Sequence, residues 1–381
     1  MIYLDHAATT PLHPRAYEAM LPWLNPDGEF GNPASSHAAG LRAAKAVELA
    51  REQLAALIGG QANEMLWTSG ATESNNLAIK GALEFRGLKS AHVVTARTEH
   101  KSVLDTCRHL ETQGLRVTYL KPDSSGRLTA PQVMQALMPD TALVSLMWVN
   151  NETGVINDIE ALAPALRERG VLFHVDAVQA AGKQVIDWAK LPIDLLSISA
   201  HKFGGPKGVG ALSVRRQPRV RLAPQMHGGG HEQGMRSGTL ATHQIVGMGA
   251  ACAAAAVEMS VESKRLSALR DELWQRLTVL PGIHFNGDTQ HRAPHILNVS
   301  FEGAEGESLR ALLGDIAVSS GSACSSATRE ASYVLRALGR DDELAGSSLR
   351  FSFGRTTTTL DISLAADKVI KAVQWLRGLA P

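Results

Sequence analysis

Residues 194–210 read D-L-L-S-I-S-A-H-K-F-G-G-P-K-G-V-G. Leu195 to Ile198 is a short apolar run that predicts a buried strand, and it stops at Ser199, His201 and Lys202. A glycine-rich turn follows, and a second strand begins near Val209. Glycine lets the chain reverse tightly and lets a ligand come close to the backbone. A lysine at the end of a strand sits where open α/β sheets bind their ligands. Its amine can form a Schiff base with a carbonyl, and Ser199 and His201 beside it can hold a phosphate. Lysine plus phosphate donors points to pyridoxal phosphate (PLP). From this stretch alone, a solvated surface lysine before a turn is the competing reading.

Upstream, Val171 to Val175 is a compact apolar run that ends at Asp176, followed by Ala177, Val178 and Gln179. It predicts a buried parallel strand with an acid at its carboxyl end. A PLP enzyme needs a carboxylate on the pyridinium nitrogen, so that the ring stays protonated and able to accept electrons. An Asp at a strand end also caps helices. Paired with Lys202, the cofactor reading of Asp176 is preferred.

The same arrangement recurs along the chain. Met65 to Thr68 reads as a strand, and Ser69-Gly-Ala-Thr-Glu-Ser-Asn75 opens a helix that runs to about Arg86. A small-residue turn at a helix start presents free N–H groups to an anion, and Thr72 adds a hydroxyl. An ordinary capped helix has the same signature. Ala91 to Thr95 is a strand with His100 at its exit, and Thr141 to Val149 is a strand that leaves through Asn150-Asn151-Glu-Thr-Gly154. A histidine at such a rim can stack on a flat ring and handle protons near neutral pH, although a lone histidine is often only a hydrogen-bonded surface or core group. Repeated polar strand exits predict a doubly wound α/β fold with a mostly parallel sheet flanked by helices.

Beyond a long helix predicted from Leu240 to about Leu280 the pattern changes. Strands are expected at 282–286, 295–301, 316–320 and 347–353, with helices between and a final helix ending near Leu379. A smaller α+β domain is therefore expected from residues 1–13 and 258–381, with the large domain at 14–257. Residues 226–239 carry five glycines and two histidines and read as a flexible loop bearing Thr239. The two histidines lack the helix and third ligand a metal site would need. The arginines of residues 214–221 read as a solvated strand end or partner-facing edge.

Composition narrows the function classes. Hydrophobic residues make up 44% and charged residues 20%, with a formal net charge of +1. Nothing here argues for direct nucleic-acid binding or an anionic membrane. The first residues lack a signal-peptide pattern, the Ala-rich run from Ile245 to Val257 is too short to span a bilayer, and the three cysteines are not closely paired. A cytoplasmic, reducing setting is expected.

Cys107 and Cys252 fall in helical patterns and read as packing residues. Cys324 sits in S-S-G-S-A-C-S-S-A, residues 319–327, a segment expected to form a mobile loop. A cysteine there is accidental or a nucleophile delivered to a site. Arg350, alternating with apolar neighbours on a strand, either grips a carboxylate in a cleft or faces outward.

Assembled, these stretches resemble the cysteine desulfurases of the NifS/IscS type, which are fold-type I PLP enzymes. The matching runs are Y-L-D-H-A-A-T-T-P, T-S-G-A-T-E-S-N-N, T-E-H-K-S-V, V-N-N-E-T-G, H-V-D-A-V-Q, S-I-S-A-H-K-F-G-G-P-K-G-V-G, R-S-G-T-L and S-S-G-S-A-C-S-S-A, in order over nearly the whole chain. The resemblance implies that Lys202 carries the cofactor and moves protons at the substrate α-carbon. Asp176 would pair with the pyridinium nitrogen, His100 would stack on the ring, and Gln179 and Asn151 would address its phenolic oxygen. Ala71, Thr72, Ser199, Ala200 and His201 would surround the phosphate. Thr239 would reach the cofactor of a second subunit, which implies a homodimer. Arg350 and Asn32 would bind the carboxylate of L-cysteine. Cys324 would accept its sulfur as a persulfide, leaving L-alanine; in relatives that cysteine can also transiently ligate an assembling iron–sulfur cluster.

Relatives of the housekeeping kind extend beyond the last helix with a tail that helps dock the iron–sulfur scaffold, whereas this sequence stops at Pro381. The expected acceptor is therefore either a scaffold or a thiolation carrier protein. Competing readings are a selenocysteine lyase or other fold-type I enzyme, and, outside catalysis, an idle sulfur-transfer scaffold.

Overall fold

The computed structural model describes residues 1–87, 90–320 and 331–378. In chain order the strands are β1 (Ile2–Tyr3), β2 (Met65–Thr68), β3 (His92–Ala96), β4 (Arg116–Leu120), β5 (Thr141–Met147), β6 (Leu172–Asp176), β7 (Leu195–Ser199), β8 (Gly210–Val214), β9 (Ile283–Phe285), β10 (Ile296–Phe301), β11 (Ile316–Ala317) and β12 (Ser348–Ser352). The helices are α1 (Pro14–Leu24), α2 (Ala38–Ile58), α3 (Ala71–Phe85), α4 (Lys101–Thr112), α5 (Ala130–Gln135), α6 (Ile159–Glu168), α7 (Thr242–Leu277), α8 (Gly306–Leu312), α9 (Tyr333–Ala337), α10 (Asp342–Gly346) and α11 (Thr359–Gly378).

A seven-stranded sheet in the order β2-β8-β7-β6-β5-β3-β4 forms the centre. Strands β4, β3, β5, β6 and β7 are parallel, and β8 runs antiparallel between β7 and β2. Strands β3, β5, β6 and β7 are buried along their whole length, which is why they read as unbroken apolar runs. One core packs α2, α6 and part of α7 on one face of the sheet; a second core packs α3 and α4 on the other.

Register decides where the site lies. Met147 pairs with Asp176, and Asp176 with Ser197. Gly210 pairs with both Ser199 and Thr68. The carboxyl ends of β2, β7, β6 and β5 therefore stand side by side on one rim, and β3 leaves beside them. This is the rim expected from the repeated polar exits. Strand β5 ends at Met147, two residues earlier than expected: Trp148 still donates to the Asp176 carbonyl, but Val149 bridges back to Ile156.

A third core lies between the antiparallel sheet β12-β10-β9, α11 and the second half of α7. Helix α7 contributes Ile245, Met248 and Cys252 to the first core and Leu266 to Leu277 to the third, so the expected division at 257/258 falls inside one continuous helix. By length and composition α7 could cross a membrane, but its faces pack on α1, α2 and α11. The N-terminal segment runs from the small sheets to the rim: β1 pairs with β11, the Ala7 N–H donates to Ser352 Oγ, and the Thr10 N–H donates to the His201 carbonyl.

Two local expectations change. Arg215 is not solvated. Its guanidinium stacks on Trp188 at 4.1 Å and donates to the carbonyls of Trp188, Leu191 and Ile193. The glycine-rich stretch 226–239 is anchored rather than loose. Glu232 is buried in a bidentate pair with Arg51 and accepts from the Trp67 N–H, and Arg236 pairs with Glu73 at 2.8 Å.

Candidate active site

The rim encloses a pocket of about 550 Å³. Its walls include Ala71, Thr72, His100, Asn151, Asp176, Gln179, Ser199, His201, Lys202 and Arg350. Ten positions singled out in the sequence thus meet in one place. Among the other sequence-predicted residues, Ala200 is buried as the first residue of the turn that carries Lys202. Asn32 and Thr239 are exposed and do not line the pocket of their own chain; the Asn32 side-chain oxygen accepts from the Ala34 N–H in its own loop. Cys324 lies outside the described residues.

Lys202 sits in a single helical turn just after β7, and Nζ donates to the carbonyls of Ala7 and Ala8 at 2.8 and 2.6 Å. The N-terminal segment thus positions the amine. Asp176 is 6% exposed, and both carboxylate oxygens are held: Oδ1 accepts from the Val178 N–H at 3.0 Å and Oδ2 from Asn75 at 2.9 Å. Two donors from different elements fix the plane of the carboxylate.

The start of α3 forms an anion cradle. Gly70 precedes it at φ +150°, a conformation that side-chain-bearing residues rarely adopt, and it offers no side chain as a cap. The first N–H groups of a helix have no intrahelical acceptor, so those of Ala71 and Thr72 face the pocket wall. Gly210 is needed opposite, since a Cβ there would meet the Gly70 Cα at 2.7 Å. Ser199, His201 and Lys207 complete this end. Glu73, which also lines the pocket, is already paired: burial opposes its charge, but Arg236 and Ser69 hold its carboxyl below the usual range.

The pocket floor is cationic. Burial and the ammonium groups of Lys202, Lys207 and Lys183 push His201 down to about 4, so the ring is neutral at physiological pH. Burial and Lys202 bring Lys183 down to about 7. Burial keeps the Glu99 carboxyl well above its ordinary value, with Asp176 adding to the rise against the Met147 N–H it accepts. The Cys107 thiol is pushed up to about 12 by burial and the neighbouring Glu99 and Glu111, and Cys252 is raised further by burial. Both are inert packing residues, as expected.

Arg350 is 1% exposed, donating from Nη1 to the Asn151 carbonyl at 2.8 Å and from Nη2 to Asp5 at 2.7 Å. It faces inward, so it is not the outward-facing charge of the second sequence reading. Its Nε has no partner among the described residues. Asp5, Asn75 and Ser102 were not singled out in the sequence. Asp5 becomes legible only when Arg350, at the other end of the chain, is placed beside it.

The class-V aminotransferase family model matches residues 2–364. A cysteine desulfurase named IscS from Pseudomonas aeruginosa (strain LESB58) is 58% identical over all 381 residues of this chain, covering 94% of that relative. The chain belongs to the cysteine desulfurases of the class-V aminotransferase family. Among solved structures, a NifS-like protein superposes on this desulfurase with a TM-score of 0.90 at 34% identity, over 98% of this chain and 99% of that one. A structure described as SspA in complex with cysteine gives 0.82 at 36% identity, over 93% and 99%. PLP is the cofactor of this family. The desulfurase pocket fits it at three points: an anion cradle at the α3 N-terminus, a fixed carboxylate at Asp176 and a lysine amine between them in the same cavity.

Proposed function

We propose that this desulfurase takes sulfur from L-cysteine, releases L-alanine and carries the sulfur as a persulfide on Cys324. The observation that supports it most is the meeting of Lys202, Asp176, the α3 N-terminus and Arg350 in one cavity. PLP, when bound, supplies an electron sink for negative charge at the amino-acid carbons. The chain's own residues do the rest. Arg350 offers its inward guanidinium to the substrate carboxylate, placing the α-carbon near Lys202. The Lys202 amine then takes and returns the proton at that carbon. His100, Asn151 and Gln179 line the same cavity and would hold the flat ring, His100 by stacking and the two amides by hydrogen bonds to its phenolic oxygen. The Cys324 thiolate attacks the substrate sulfur: an S–S bond forms, the C–S bond breaks, and the carbon collects a proton to leave as alanine.

The second subunit, reached through Thr239, makes the working unit a homodimer. Asn32 joins Arg350 at the carboxylate. The acceptor is a protein, either an iron–sulfur scaffold or a thiolation carrier, and the reaction runs in the cytoplasm. Transient ligation of a cluster by Cys324 belongs to delivery to such an acceptor; among the described residues no cluster of acids, histidines and cysteines is arranged to hold a metal.

The experiment incubates the PLP-loaded protein with L-cysteine and quantifies alanine, sulfide released by a thiol reductant, and intact mass. Equal alanine and sulfide, with one added sulfur that is missing from Cys324→Ala, is the expected result. Alanine without a sulfur adduct favours a lyase that releases its chalcogen directly, and a protein that binds no PLP favours the idle scaffold.

A further inference from the structure

Two polar residues behind the pocket wall, buried Asn75 and half-buried Ser102, have no part in the chemistry above. Their bonds run in one direction. His100 caps α4, and its Nδ1 lies 3.1 Å from the Ser102 backbone N–H. A main-chain N–H can only donate, so Nδ1 holds a lone pair and the neutral ring carries its proton on Nε2. The Ser102 hydroxyl is 2.8 Å from the same nitrogen and so donates to it as well. Its oxygen then accepts from Asn75 Nδ2, at 2.9 Å. The other hydrogen of that amide reaches Asp176 Oδ2, also at 2.9 Å. Rotating the amide would set its oxygen against the carboxylate, so the direction is fixed. Asn75 is 0% exposed, so its bond to Asp176 is out of reach of water.

We propose that Asn75 and Ser102 are positioning residues that hold His100 in the Nε2–H tautomer and tie it to Asp176. The inference rests on the reading of this pocket as a PLP site. Its consequence is that the group over the cofactor ring and the group on its nitrogen are set by one relay through α3 and α4. His100 faces the pocket with a donor, and removal of the α-proton is left to Lys202.

Each end of the relay is tested by changing the other. Protein labelled with ¹⁵N at histidine, with His100→Gln used for assignment, reports the tautomer and the Nδ1 environment with and without PLP. Pyridine-¹⁵N-labelled PLP reports Asp176. The wild type is expected to show Nε2–H at His100 in both states. Asn75→Ala, which does not touch His100, shifts its Nδ1 signal. Ser102→Ala, which does not touch Asp176, shifts the pyridine nitrogen signal and raises the PLP dissociation constant about tenfold. Ser102→Thr, which keeps the hydroxyl, restores the wild-type signals. The two alanine variants together cost no more in PLP affinity than the larger single effect. An Nδ1–H tautomer, or cross-signals that stay in place with additive losses, overturns the relay. The histidine signals need no cofactor, so a chain that fails to bind PLP is distinguished from a relay that fails.

Discussion

The two sides of the pocket are built differently. On the sheet side, Asp176 and Ser199 end strands of the seven-stranded sheet, Asn151 and Lys202 come just after strands, and the ladder register brings those strand ends together. On the opposite side, Arg350 lies in the middle of β12, whose hydrogen-bonding partner is β10, and it reaches the pocket through Asp5 and the Asn151 carbonyl. The sheet side is specified by local sequence and topology. The Arg350 side depends on contacts between residues hundreds of positions apart. The first should therefore fail by losing chemistry or cofactor, and the second by losing substrate.

The largest effect is expected on the sheet side. Lys202→Ala should lower alanine formation by roughly 10⁴-fold, because both the cofactor link and the proton carrier go together. Arg350→Lys should sharpen the contrast: KM for cysteine rises about 100-fold while kcat changes little, since an ammonium cannot replace the planar guanidinium. A kcat loss as large as the KM effect would erase the distinction between the two sides. Gly70→Ala strains a φ of +150° at the anion cradle and should weaken PLP about tenfold, measured by titrating apoprotein, with KM for cysteine unchanged.

The smallest effects are on stability against pH, and they concern groups where the two sides meet. His6 is buried and His201 half-buried, and both are pushed down to about 4 from an ordinary 6.5, His6 by burial and then Lys183, His201 by burial and then Lys202. Between those values the unfolded chain binds more protons, so stability is full above pH 6.5 and is lost as pH falls toward 4. Urea unfolding of the apoprotein across that window reads it, and His6→Asn should flatten the slope. Lys183 has the same sign at higher pH. Its folded value of about 7 lies below the ordinary 10.5, so stability rises with pH between the two. In Lys183→Met that rise should disappear. A wild-type curve that falls over this window would contradict the lowered value at Lys183.

This contrast also explains what could be read from the chain alone. Strand ends are local: an apolar run that stops at Asp176 or Lys202 announces both the strand and its exit, and a parallel sheet gathers such exits on one rim. The fold class and nine of the ten pocket residues followed from that; Arg350 did not. Asn75 and Ser102 were missed because each looks like an ordinary polar residue near a helix start, Asn75 fifth in α3 and Ser102 second in α4; the available signal was a serine two positions after the capping histidine. Asp5 was missed because its partner is 345 residues away. Helix α5 is six residues long, too short for periodicity, although Thr129 and Gln132 form a capping box at its start. Arg215 deceived because a run of arginines reads as surface, whereas three carbonyls and a Trp188 face were waiting for its guanidinium.

The central claim is that the amine at the end of β7, and no other, holds the cofactor. Three lysines stand close to the pocket: Lys183, Lys202 and Lys207. Borohydride reduction of the PLP-loaded protein, followed by peptide mapping, fixes the cofactor to whichever lysine bears it. The account predicts a single reduced adduct on Lys202, absent from Lys202→Ala. An adduct on Lys183 or Lys207 in the wild type, or none at all, would contradict it.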